Sequence, residues 1–236
     1  MKNKVLFPKI FLLLILAVLI SSCIKNNNLI EGDAKVRYFQ SAVTDTTQNF
    51  FLNGIQSGAS TTYGSNSNYV VIAGDSTYAI ASRNINTGVD VANTSFKFGI
   101  GANYSIFYTR TTATSPPVLK VYQDDVKQDL NVVTLNFLNL GYTLGSDVII
   151  KDDGGAFTEF VAKYGEKSTH KVTLSKSTHI SFALQAPIAT QPLVKTLDSA
   201  ATDATKSVAI SKGLVYYVLL DGSKKGELQM RLVSTN

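Results

Sequence analysis

The sequence predicts an all-β protein built as two tandem antiparallel β-sandwiches, and three observations lead there. Beyond residue 33 no apolar pattern keeps a helical period over three turns. Short runs rich in Val, Ile, Tyr, Phe and Thr recur instead, bounded by Gly, Asn, Asp and Ser. The series of runs occurs twice, and its two halves can be laid on one another.

In chain order, the first half predicts strands over 36–40, 49–53, 69–73, 77–83, 95–98, 104–109 and 118–122. The second predicts strands over 132–138, 147–151, 157–161, 171–174, 179–185, 207–210, 214–220 and 227–233. Asp153-Gly154 follows the second strand of its half and carries the residue types of a tight hairpin turn. About seven short strands in about 100 residues is the density of an immunoglobulin-like sandwich, so the domains are expected at 34–128 and 129–236. The polar stretch 123–129, QDDVKQD, reads as the solvated linker between them.

At a fixed offset of 101, residues 63–78 (YGSNSNYVVIAGDSTY) align with 164–179 (YGEKSTHKVTLSKSTH), six of 16 positions being identical. The identities are Tyr63/Tyr164, Gly64/Gly165, Ser67/Ser168, Val71/Val172, Ser76/Ser177 and Thr77/Thr178. With small changes of offset, FLNG at 51–54 matches the Asp-Asp-Gly region at 150–154, and Gly101-Ala-Asn-Tyr104 matches Gly213-Leu-Val-Tyr216. The offset lays His170, one of the two histidines, on Tyr69 and the other, His179, on Tyr78. Both are therefore expected to fill aromatic slots in strands. A metal site would need further donors, and neither half supplies a Cys or an obvious third ligand at useful spacing.

The N-terminus carries Lys2, Lys4 and Lys9, an unbroken apolar run over 10–20 and then Ser21-Ser22-Cys23, the order of a secretory signal peptide over 1–22. The run is short of the roughly 20 apolar residues a spanning helix needs. Ile20-Ser21-Ser22-Cys23 resembles the lipobox of bacterial lipoproteins. That resemblance implies lipidation of Cys23 with cleavage just before it, a lipidated tether over 23–33 and attachment to the membrane through the lipid. No aspartate follows Cys23, and Lys25 with three asparagines stands where acidic export signals occur in surface lipoproteins. The resemblance thus points to the outer membrane, on its periplasmic face.

Loss of the leader removes three basic residues and no acidic ones, so the formal charge falls from +5 to +2. This leaves no basic surface for nucleic acid. Catalytic motifs are missing from the sequence: there is no Gly-x-Ser-x-Gly elbow and no glycine-rich phosphate loop before a helix. Asp152-Asp153-Gly154-Gly155 lacks the alternating acids and closing Glu of a calcium loop. The expectation is a protein that is not an enzyme and holds no cofactor or metal.

Tyr63-Gly64, Ser67, Tyr69, the Val70–Gly74 run and Gly101 to Tyr104 together resemble the domain of unknown function 4397. Members of that family look like tandem β-sandwich modules of secreted or lipid-anchored bacterial proteins; the resemblance implies a fold and a setting but no residue roles. The second half departs from the pattern at His170 and Ser175. With 11 Tyr, 12 Phe and no Trp, stacking on a ligand would fall to tyrosines, and Tyr63 and Tyr164 are the candidates, each before a glycine at a strand end. The function expected is a non-catalytic, lipid-anchored interaction or structural module of the cell envelope, with an envelope protein or a glycan as its ligand. The alternative is a carbohydrate-binding accessory lipoprotein of a glycan-uptake system.

Overall fold

The computed structural model describes residues 32–188, 191–201 and 203–235. The leader, Cys23 and the tether as far as residue 31 lie outside the described residues. The first half contains β1 Asp33–Gln40, β2 Gln48–Leu52, β3 Ile55–Gln56, β4 Val70–Ala73, β5 Ser76–Asn84, β6 Asp90–Phe98, β7 Asn103–Arg110 and β8 Pro117–Asp124. The second contains β9 Val133–Asn139, β10 Val148–Asp152, β11 Phe160–Ala162, β12 Lys167–Val172, β13 His179–Leu184, β14 Thr196–Asp198, β15 Ser207–Ala209, β16 Val215–Gly222 and β17 Leu228–Ser234.

The protein is all-β, and each half is an immunoglobulin-like two-sheet sandwich. The first pairs β4-β1-β7-β8 with β3-β2-β5-β6, and the second pairs β12-β9-β16-β17 with β11-β10-β13-β14-β15. No sheet among the described residues draws strands from both halves. The sheets β4-β1-β7-β8 and β12-β9-β16-β17 correspond strand for strand, while β15 has no counterpart in the first half: β1 and β9 each lie between an antiparallel neighbour (β4, β12) and a parallel one (β7, β16). These parallel pairs, and β14 with β15, depart from the expected all-antiparallel sheets. The reason is connectivity, because between β1 and β7 the chain visits the opposite sheet and returns, which supplies the long crossover a parallel pair needs.

Local sequence explains several boundaries. Asn53 (φ 49°) and Gly54 (φ 80°) form a two-residue turn with both φ values positive, so β3 folds straight back on β2. β3 and β14 were not expected, being only two and three residues long. β12 starts at Lys167 rather than in the expected 171–174 range, since Lys167 and Ser168 pair along β9 although lysine is a poor strand former. The expected linker 123–129 begins inside β8, whose last residue is Asp124.

Each sandwich has its own core. Tyr38, Phe50, Ile80, Phe98 and Ile106 fill the first, and Leu135, Phe137, Val148, Ile150, Ile180 and Val218 fill the second. A third apolar cluster consists of Phe39, Phe107, Leu138, Leu140, Tyr217 and Leu219, all fully buried. It is made by the other faces of β1, β7, β9 and β16. Alternation along a strand sends Ile106 and Tyr108 into the first core and Phe107 into this seam; on β16 it sends Val218 and Leu220 into the second core and Leu219 into the seam. All eight residues of β16 are buried in consequence. The described residues form one compact unit.

The four seam strands point the same way. Near their starting ends Arg37 Nη1 donates to the Ser234 carbonyl at 3.0 Å and the Tyr217 hydroxyl to Asp124 Oδ1 at 2.8 Å. The loops 74–75, 99–102, 125–132, 173–178 and 210–214 gather at this pole, where the chain also enters at Gly32. The loops 41–47, 85–89, 111–116 and 140–147 gather at the far pole.

Candidate functional site

Tyr63 and Tyr164 occupy equivalent places, as the repeat requires. The Gly64 amide donates to the Gln40 carbonyl at 3.2 Å, and the Gly165 amide to the Asn139 carbonyl at 2.7 Å. Both glycines are left-handed, at φ +84° and +76°, a conformation a Cβ would strain. Each tyrosine then leaves its own sandwich. The Tyr63 hydroxyl meets the Gly222 carbonyl at 3.3 Å and Gln229 Oε1 at 3.0 Å, with the Arg231 guanidinium 5.8 Å from its ring centre. The Tyr164 hydroxyl donates to the Arg110 carbonyl, with Lys120 Nζ 5.3 Å from its ring.

Those partners are equivalent too. Register pairs Val36 with Tyr104 and Leu135 with Tyr216, so Arg110 and Gly222 stand six residues along from matched tyrosines. The same register matches Lys120, opposite Phe107, with Arg231, opposite Leu219. The seam is therefore a pseudo-two-fold interface in which each half lays its tyrosine on the other half's strand end. Burial raises both phenol pKa values, which keeps the hydroxyls as donors. Tyr63 and Tyr164, the candidates for stacking on a ligand, sit at the seam with their hydroxyls engaged.

At the other end of the seam Asp124 organises a buried polar network. Its side chain has no exposure and faces that of Arg37, at 4%, with Nε 3.7 Å from Oδ2. Asp124 Oδ2 also accepts from the Tyr69 hydroxyl at 2.5 Å and the Ser105 hydroxyl at 2.9 Å, and Oδ1 from Tyr217 at 2.8 Å. The Arg37 guanidinium lies 4.7 Å from the Tyr69 ring centre and 4.9 Å from that of Phe39. Burial, and after it the Asp124 charge, push the Tyr69 and Tyr217 phenols far above their usual range. The solvated-linker reading of Asp124 is thus corrected: β8 carries it into the seam, where Arg37 compensates its charge.

The histidine slots differ by one residue from the fixed-offset alignment. Ser67 lies beside Tyr38, but Val70 rather than Tyr69 pairs with Val36, so the first half bulges between them. The second half has no such bulge, and His170, opposite Leu135, occupies the place of Val70. Its ring stacks on Phe160 at 4.4 Å and meets Phe137 and Phe157 at 5.6 and 5.0 Å. Leu52 pairs with Ile80 and Asp152 with Ile180, which puts His179 in the place of Ala79 rather than Tyr78. His179 is half exposed, with Nδ1 2.7 Å from Asp198 Oδ1. Among the described residues no three His, Cys, Asp or Glu side chains converge as a metal site would require. Asp152 closes the turn after β10, accepting from the amides of His179 at 2.9 Å, Gly154 at 3.2 Å and Ala156 at 2.5 Å.

Burial lowers the His170 pKa. The unfolded chain takes up a proton below about pH 6.5 that the native ring resists, so stability is full above that value and declines as pH falls toward the native one. His170→Phe, at a packing cost of about 1 kcal/mol, should remove this acid-side loss. Urea midpoints at pH 7.5 and 5.5 test it: identical pH dependence in both proteins would show that His170 is not the group responsible.

Two clefts open at the far pole, on either side of a ridge formed where the Tyr142 hydroxyl meets Thr44 Oγ1 at 3.0 Å. One, of about 360 Å³, has Thr46, Gln48, Asn84 and Val91 in its wall beside Asp45, Tyr108 and Arg110. The other, of about 300 Å³, includes Thr111, Ser146, Asp147 and Tyr164 and so draws on both sandwiches. The charges of the first are spent on each other: Arg110 Nε lies 3.0 Å from both Asp45 oxygens, and the Tyr108 hydroxyl donates to Oδ2 at 2.5 Å. What remains toward solvent is the hydroxyls of Thr44 and Thr46, the Asn84 amide and the apolar surface of Val91 and Pro117. Sequence reasoning missed this place because its walls come from loops far apart in the chain, none carrying a motif.

Neither the protein-family models nor the curated proteins match this chain. Among solved structures it is similar to CBMbc, a family CBM26 module from Eubacterium rectale Amy13K crystallised in complex with maltoheptaose. The identity is 12% over 86% of this chain and 97% of that one, with a TM-score of 0.24. It is also similar to the C-terminal fragment of the pilus adhesin SpaC from Lactobacillus rhamnosus GG, at 9% identity over 87% and 97% of the two chains and a TM-score of 0.20. Likenesses at these scores say nothing of a ligand.

Proposed function

We propose that this chain is a non-catalytic, lipid-anchored module of the bacterial cell envelope, related to the domain of unknown function 4397, that holds a glycan at its far pole. The observation that carries the reading is the pair of clefts beside the Tyr142–Thr44 contact, lined by Thr46, Asn84, Thr111 and Ser146 and placed at the pole opposite Gly32. Hydroxyls and the Asn84 amide, with the Asp147 carboxylate and the half-buried Tyr164 ring in the second cleft, match the hydroxyls and apolar ring faces of a sugar. The Asp45–Arg110 pair, already mutually compensated, fits a binding role better than proton transfer. Anchoring through Cys23, on the periplasmic face of the outer membrane, would present this pole to the surrounding space.

The test is a glycan array probed with residues 24–236, followed by Tyr142→Phe and Thr46→Val. Reproducible binding to one polysaccharide is expected, weakened about three- to tenfold by each variant, as loss of one neutral hydrogen bond implies. Failure to bind any glycan, or binding indifferent to both variants, would remove the reading.

A further inference from the structure

At the pole where the chain enters, the second sandwich has a broad concavity of about 570 Å³ lined by Leu174, Ser175, Lys176, Ser199, Ile210 and Lys212, among others. Its floor is apolar, with Ile210 buried, and its rim carries the two ammonium groups and three serine hydroxyls. Among the described residues no carboxylate lies within ion-pair distance of Lys176 or Lys212. The acid beside the site, Asp198, is held by His179 at 2.7 Å and by the Thr196 hydroxyl at 3.1 Å.

The first sandwich provides an internal comparison. Gly101 and Gly213 are equivalent, so Lys212 stands where the first half has Ile100. Ile72 matches Val172 and Ala79 matches His179, so Lys176 stands where the first half has Ser76. Neither lysine is therefore required by the shared fold. Two unpaired cations over a ring of hydroxyls suit an anion with several acceptor oxygens.

We infer that this concavity binds a phosphate group, and that the phosphate belongs to a lipid headgroup. The choice of source rests on the proposed lipid anchor: eight residues, 24–31, separate Cys23 from Gly32 at this same pole, a span of at most about 30 Å. A sandwich tethered so closely turns this pole toward the bilayer, where each lysine near an anionic surface adds to the attraction.

Residues 24–236 lack Cys23 and contain every described strand, so vesicle binding by this chain is independent of lipidation. In sedimentation with phosphatidylcholine vesicles containing phosphatidylglycerol, it should bind more tightly than to phosphatidylcholine alone, and the double variant Lys176→Ala, Lys212→Ala should bind at least about tenfold more weakly. Unchanged melting of that variant excludes misfolding as the cause. Equal binding by variant and wild type, or no binding to either vesicle, would overturn the inference. Amide shifts at Ser175, Ser199 and Ser211 on adding inorganic phosphate, without vesicle binding, would overturn the headgroup source and leave a soluble phosphate ligand. Palmitate labelling of the full chain and of Cys23→Ala tests the anchor separately; absent labelling with vesicle binding retained would remove the anchor and keep the site.

Discussion

Asp124→Ala is expected to cost about 3–5 kcal/mol, the effect of removing one partner from a buried ion pair. The Arg37 guanidinium would remain in the seam with its charge uncompensated, and Tyr69, Ser105 and Tyr217 would each lose an acceptor. Domains of this kind are stable by only about 5–15 kcal/mol, so the variant should unfold at a much lower urea concentration than wild type. The loss should be partly recovered by combining Asp124→Leu with Arg37→Met, because a buried pair replaced by apolar groups of similar volume is often neutral. A single variant within about 1 kcal/mol of wild type would mean that Asp124 is solvated after all.

The second large effect is Phe107→Ala, also expected at about 3–5 kcal/mol. The Phe107 ring is stacked on Phe39 at 4.4 Å and meets Tyr122 at 5.7 Å and Tyr217 at 5.8 Å, so truncation leaves a cavity walled by both sandwiches. The effect should appear in both halves together. Hydrogen exchange resolved by residue should show protection falling in β5 of the first core and in β13 of the second by the same amount. A loss confined to the first half would show that the seam does not couple them.

Most of the strand order was legible, because hydrophobic runs bounded by turn residues are a local property. The repeat was legible for the same reason at Tyr63-Gly64 and Tyr164-Gly165, where a left-handed glycine is required. The role of those tyrosines was not, since their partners at Gly222 and Arg110 are 159 and 54 residues away. One signal of the seam did stand in the sequence. The run VYYVLL at 215–220 lacks the polar alternation of a strand with one face in water, and a continuous apolar run marks a strand covered on both sides. Asp124 was read as linker because charge near the end of a strand ordinarily means solvent; its partner Arg37 lies 87 residues earlier. The histidines illustrate a different limit. A one-residue bulge between Ser67 and Val70 moves the equivalences from Val70 to Ala79 by one position, and an ungapped alignment cannot see it.

The central claim is that the two sandwiches, joined through the seam of Phe39, Phe107, Leu138, Leu140, Tyr217 and Leu219, behave as one cooperative body. Calorimetric melting of residues 24–236 tests it most directly. One transition is predicted, with calorimetric and van't Hoff enthalpies that agree near about 140 kcal/mol, the value expected for roughly 200 residues unfolding together. Two transitions, or a van't Hoff enthalpy near half the calorimetric one, would contradict it and show two sandwiches that fold as independent beads.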